Sequence, residues 1–159
     1  MKVAQIMSTP LVSVTRDTKV PEIARLMQER NIGAVAVLND DGTLAGLITE
    51  SDFTGIGRCV PFSLERAPVI FGARAATAEE LASIWADARR LSAHQVMTEK
   101  VYMTTEGAEV GAVVQEMLQR DLKHVPVMRG NRPIGMLARH DVLKLALETL
   151  SGGSAAPAS

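Results

Sequence analysis

The chain has 159 residues, of which 47% are apolar and 3% are Phe, Trp or Tyr, and its formal net charge is −1. That length suits one compact domain or two small halves, and the core must come mainly from Val, Leu, Ile, Met and Ala. The charge argues against non-specific DNA or RNA binding, which needs a basic surplus, although a local basic pocket stays compatible with it.

The first residues, "MKVAQIMSTPLVSV", hold no long apolar stretch, so no secretory signal is expected. No apolar run reaches the length of a membrane span. Cys59 is the single cysteine, which excludes an intramolecular disulfide and fits a reducing compartment. A cytoplasmic protein with no membrane partner is the expectation.

"PLVSV" is a short β-branched run and predicts a strand. "DTKVPEIARLMQERN" follows, with Val20, Ile23, Leu26 and Met27 at helical spacing and Pro21 near the start, where a missing N–H costs little. "AVAVLNDDGTLAGLIT" reads as a hairpin, two apolar runs around a turn signal. "ESDF" opens a second helix, with Thr49 or Ser51 available as its cap. The module is therefore β-α-β-β-α.

About 40 residues then follow a different pattern. "GIGRCVPFSLERAPVIFGARAA" has the punctuation of a long loop. "TAEELASIWADARRL" carries a capping box, Thr77 with Glu80, and an apolar stripe of Leu81, Ile84, Trp85, Ala88 and Leu91.

After this insert the module returns. At an offset of 90, Gln5 meets Gln95, Met7 meets Met97, Val35 meets Val125 and Val37 meets Val127. One deletion later, Gly46 meets Gly135 and Asp52 meets Asp141, so "GLITESD" has a second copy, "GMLARHD". The period exceeds that of solenoid repeats. The expected fold is α+β: two β-α-β-β-α repeats packed sheet to sheet as a pseudo-twofold pair with one shared core. The repeats span residues 1–54 and 93–150, with a helical insert at 55–92 and a disordered tail at 151–159.

In this order, twice, the segments "QIMSTPLVSV" and "HQVMTEKVYM", the strand "LKHVPVM" and the Gly-x-x-Thr-x-x-Asp phrase resemble the CBS-domain pair, or Bateman module. The resemblance covers roughly residues 3–54 and 93–149. It implies a regulatory module that binds an adenosine-containing nucleotide, of the AMP, ADP, ATP or S-adenosylmethionine type, in the cleft between repeats. It implies a homodimer that signals to another protein, whose identity the sequence leaves open. It also implies a regulatory ligand rather than a catalytic cofactor.

The phrase has a physical reading of its own. A helix N-terminus offers unpaired N–H groups and a positive dipole end, which suits an anion. An Asp in the first turn can accept hydrogen bonds from the two vicinal hydroxyls of a ribose. In the resembling family this Thr and Asp hold ribose and phosphate, which makes Thr49 and Asp52 the leading candidates, with Leu47 and Ala34 beside them. The plainer reading is an N-cap and a first-turn acid. The second copy keeps Asp141 but has Ala138 in place of the Thr. It adds Lys123, His124, Arg139 and His140, candidates for a phosphate or for solvated surface. One composite site retained and the other relaxed would account for the difference.

An enzyme is not expected. Nothing local links Cys59 to His94, His124 or His140, the His residues are too dispersed for a metal site, and the eight Met residues suit core filling. The rival to a nucleotide sensor is a ligand-free dimerisation and assembly module.

Overall fold

A computed structural model of the chain describes residues 1–54, 79, 86 and 89–152. The expected insert helix, with Thr77, Glu80, Leu81, Ile84, Trp85 and Ala88, lies outside the described residues, as do Cys59 and the tail from 153. The chain divides into two compact units. One is Val12–Val101 and the other combines Met1–Leu11 with Tyr102–Ser159.

In the Val12–Val101 unit, β1 (Ser13–Thr15) runs parallel to β2 (Ala34–Leu38), and β2 pairs antiparallel with β3 (Leu44–Thr49). Between the parallel strands lies α1 (Val20–Arg30), with Pro21 in its first turn as expected. Its Val20, Ile23 and Met27 recur every three to four residues and form one buried stripe. That stripe packs on Val35, Val37 and Ile48, the alternate residues on one face of the sheet. Ile23 and Ile48 are fully buried, and burying side chains of this kind contributes roughly 1.5–3 kcal/mol each. α1 ends at Asn31, whose φ of 51° is left-handed, a conformation Asn tolerates better than most residues. The expected hairpin turn holds Gly42 at φ 81°, and the Asp41 carboxylate accepts the Thr43 N–H at 3.0 Å. α2 (Glu50–Thr54) follows β3 directly. Short α3 (Ala93–Val96), closed by a Ser92–Gln95 capping box, adds Ala93 and Val96 to the same core.

The other unit repeats the plan. β4 (Thr104–Thr105) runs parallel to β5 (His124–Arg129), which pairs antiparallel with β6 (Arg132–Ala138). α4 (Val110–Gln119) buries Val110, Val113 and Met117 against Val125, Val127 and Leu137. α5 (Arg139–Gly152) follows β6. Val3 is fully buried in this second cluster. Each unit thus holds a buried apolar cluster of its own.

The segment before each repeat's first strand, its leader, belongs to the body of the other repeat. Residues 1–11 join the unit of the second repeat, where Val3 N–H donates to Ala108 O at 2.9 Å and Ala4 N–H to Glu106 O at 3.0 Å. Residues 92–98 join the unit of the first, where Leu47 and Thr98 exchange backbone bonds of 3.0 and 2.9 Å. Repeat in sequence and unit in space are therefore different sets of residues.

Arg129 donates from Nε and Nη2 to the two carboxylate oxygens of Glu106, each at 2.6 Å. The Arg129 hydrogen bonds hold the Glu106 carboxyl below its usual range. A lowered folded pKa adds stability that is present above the unfolded value and is lost as pH falls through the folded one. Urea unfolding should therefore find Glu106→Gln less stable than the parent at pH 7. The gap should close as pH falls from about 4.5. An unchanged gap at pH 3 would exclude this ion pair as its source.

Candidate ligand-binding site

The opening Gly of each repeated phrase answers to the leader that crosses it. A Cβ on Gly46 would lie 2.7 Å from Met97 Sδ and 2.8 Å from Thr98 O. On Gly135 it would lie 2.9 Å from Ser8 O and 3.1 Å from Met7 Sδ. Ser8 and Met136 exchange backbone hydrogen bonds of 2.8 and 3.1 Å. A glycine inside a strand is the residue that admits such an approach.

Downstream of each glycine the strand passes into a helix without a loop. The first N–H groups of a helix have no partner within it. Asp52, third in α2, reaches back so that its Oδ2 accepts the Thr49 N–H at 2.7 Å, and the Thr49 hydroxyl lies 3.5 Å from the same oxygen. Asp141, third in α5, accepts the Ala138 N–H at 2.8 Å in the same way. This is the returning arm of a capping box, with Asp in the usual Glu position. Asp52 is buried and Asp141 half-buried. Both carboxylates are thus oriented by backbone, and neither orientation needs the Thr hydroxyl.

Ala34 pairs with Thr49 across the sheet, and Glu50 N–H donates to Gly33 O at 3.0 Å. Ala34, Leu47, Thr49 and Asp52 are therefore brought together at one end of the sheet. Ala34 and Leu47 are both buried, and Leu47 spends its backbone N–H and C=O on Thr98. In the other unit His124 pairs with Ala138, and Arg139 N–H donates to Lys123 O at 3.0 Å. His124 is half-buried, while Lys123 and His140 are exposed.

Arg139 turns back to the end of α4. Its Nε donates to Leu122 O at 2.8 Å and its Nη2 to Asp121 Oδ1 at 2.8 Å, with Met117 O at 3.4 Å. The guanidinium satisfies carbonyls where α4 ends, a place that favours a cation. This role also explains how a cation is tolerated at the start of α5. Asp121 itself is left-handed, with φ 51°, as is its equivalent Asn31.

The sequence pattern did not single out Ser8. Ser8 donates its hydroxyl to Asp141 Oδ1 at 3.3 Å. Ser8 and Asp141 border a cavity of about 250 Å³ that Gln5, Met7 and Lys144 also line. No pattern within either repeat joins residue 8 to residue 141, because the contact depends on the exchanged leader. Among the described residues, no group of three or more His, Cys, Asp or Glu could hold a metal ion, and no helix is long and apolar enough to cross a membrane.

A sequence profile of the CBS domain matches residues 3–56 and 93–148. The chain is similar to the CBS domain of a CBS-domain-containing membrane protein from Sphaerobacter thermophilus, with 32% identity and a TM-score of 0.69 over 91% of this chain and 87% of that one. A protein of Methanocaldococcus jannaschii is 27% identical over 91% of this chain and 90% of its own length. A CBS-domain pair solved in complex with 5′-methylthioadenosine and S-adenosyl-L-methionine shares the fold, with 18% identity and a TM-score of 0.67 over 94% of this chain and 98% of that one.

Proposed function

Because the chain belongs to the CBS-domain family, whose pairs are regulatory ligand-binding modules, we propose that it senses an adenosine-containing ligand and passes the signal to a partner protein. The ligand is of the AMP, ADP, ATP or S-adenosylmethionine class. The observation that carries this reading is Asp52, buried and held by the Thr49 N–H at 2.7 Å where β3 becomes α2. A carboxylate fixed there accepts two ribose hydroxyls without having to be ordered first, and the helix start next to it favours an anion. The related pair bound to methylthioadenosine and S-adenosylmethionine supports the ligand class. The role is regulatory rather than catalytic.

Thermal unfolding with AMP, ADP, ATP, S-adenosylmethionine and 5′-methylthioadenosine tests it. A ligand at 100 times its dissociation constant adds about 2.7 kcal/mol of stability. One member of the panel should raise the midpoint well above the others, and no response to any of them removes the proposal.

A second reading, a homodimer built for assembly alone, is favoured by one observation. Leu118, Leu143 and Leu147 are exposed at 68%, 57% and 57% on the helices of the second unit. Leu143 and Leu147 lie one turn apart on α5, and exposed apolar groups on one helix face suit a partner surface. A monomeric mass by sedimentation, with and without nucleotide, would remove the dimer.

A further inference from the structure

We propose that Met7 and Met97 are a matched pair of oxidation sites, and that their conversion to the sulfoxide by hydrogen peroxide loosens each leader from the strand it crosses. The two residues are equivalent in the repeat. Each sulfur stands against the glycine of its crossing. Met97 Sδ lies 2.7 Å from where a Cβ on Gly46 would be, and Met7 Sδ lies 3.1 Å from the same point on Gly135. Each side chain also packs at the edge of its own unit's buried cluster, Met97 on the first and Met7 on the second. The strand gives up a side chain, and a soft, apolar thioether takes the place.

Exposure and position set these two apart from the other methionines. Met27, Met117 and Met136 are buried and shielded from an oxidant. Met1 and Met103 are exposed at 58% and 47%. Met128 is half-buried in β5, opposite Thr105 and Pro133 rather than a leader. Met7 and Met97 are half-buried, and Met7 borders the cavity of about 250 Å³, so a molecule as small as peroxide can reach it.

The reaction breaks the peroxide O–O bond. One oxygen bonds to Sδ, the sulfur gives up two electrons, and the other oxygen leaves as water. The sulfoxide is larger and carries a polar oxygen. On the Gly46 side it meets closed backbone, since Thr98 O is also 2.8 Å from that point. Its alternatives are the apolar cluster, where a polar atom without a partner is costly, or departure of the side chain from the crossing. One pair of backbone hydrogen bonds joins the two chains at each crossing, Leu47 with Thr98 and Ser8 with Met136. Those bonds are the ones that open. Gly46 lies three residues before Thr49 on β3, so the change reaches the strand that carries the first junction. Sulfoxide reductases reverse the oxidation, which makes the device resettable.

The test treats the parent, Met7→Leu, Met97→Leu and the double Leu variant with hydrogen peroxide. Peptide masses report oxygen gained at each methionine, and amide hydrogen exchange reports opening. Leu keeps the side-chain volume, so these variants should fold. In the parent, Met7 and Met97 should each gain one oxygen, and exchange at Ser8, Leu47, Thr98 and Met136 should rise about tenfold or more. Met97→Leu should keep Leu47 and Thr98 protected, and Met7→Leu should keep Ser8 and Met136 protected. Met97→Gln, which puts a polar amide in place of the thioether, should raise exchange at Leu47 and Thr98 without peroxide. Three results would overturn the proposal. Met7 and Met97 could stay unoxidised while Met1 and Met103 react. The four amides could keep their protection once both sulfurs carry oxygen. The double Leu variant could loosen as much as the parent, which would place the effect at another methionine.

Discussion

Gly46→Ala and Gly135→Ala should each lower the free energy of unfolding by about 1–3 kcal/mol, the usual cost of forcing a methyl into a packed place. The new Cβ would stand 2.8 Å from Thr98 O in the first case and 2.9 Å from Ser8 O in the second. Both atoms are backbone, and both segments are pinned by paired hydrogen bonds to Leu47 and Met136. A side chain could turn away, but these carbonyls can retreat only by giving up their bonds. Met97 Sδ, at 2.7 Å from the Gly46 position, adds to the crowding. Gly111 is the control. It lies in α4 with nothing within 4 Å of an added Cβ, and Gly→Ala at a compatible site stabilises by about 0.4–1 kcal/mol. Urea unfolding of the three variants should give two losses and one gain. A neutral Gly46→Ala would mean that the leader is not seated on β3.

Asp52→Ala should weaken binding of the adenosine ligand by roughly 2–4 kcal/mol, through two lost charge-assisted hydrogen bonds. That is about 30- to 1,000-fold in the dissociation constant. The same change strips the acceptor from the Thr49 N–H, so some loss of stability accompanies it. Asp52→Asn separates the two effects, because its amide oxygen can still accept from Thr49 while the charge is gone. Asn should retain most of the stability and still bind poorly. If Asn binds like the parent, the carboxylate charge is not what holds the ligand.

Much of this was legible in the residues. The spacing of Val20, Ile23 and Met27 marked α1, "NDDG" marked the hairpin, and the two Gly-to-Asp phrases marked two equivalent strand–helix junctions. These are local signals, set by periodicity and turn chemistry within a few residues. What was hidden is long-range. The leader exchange joins Ser8 to Met136 and Thr98 to Leu47, and no periodic pattern encodes which body a leader joins. The recurring Gly was the trace it left, since a strand interior rarely gives up a side chain without a close neighbour. The partners of Arg139 were hidden for a related reason. Arg139 sits beside Asp141 in sequence, yet its guanidinium reaches the end of α4, 17 residues away at Leu122. Charge counting located a cation and could not say which group it served.

The central claim is that the Thr49–Asp52 junction holds an adenosine-containing ligand, and titration of the nitrogen-15-labelled protein, followed by amide resonances, tests it most directly. The panel member that stabilises the fold should move the amides of Thr49, Glu50 and Asp52 saturably, with one dissociation constant. The amides of Glu22 and Arg25, exposed on α1, should stay in place. Saturable shifts at α1 with Thr49 and Asp52 unmoved would contradict the account.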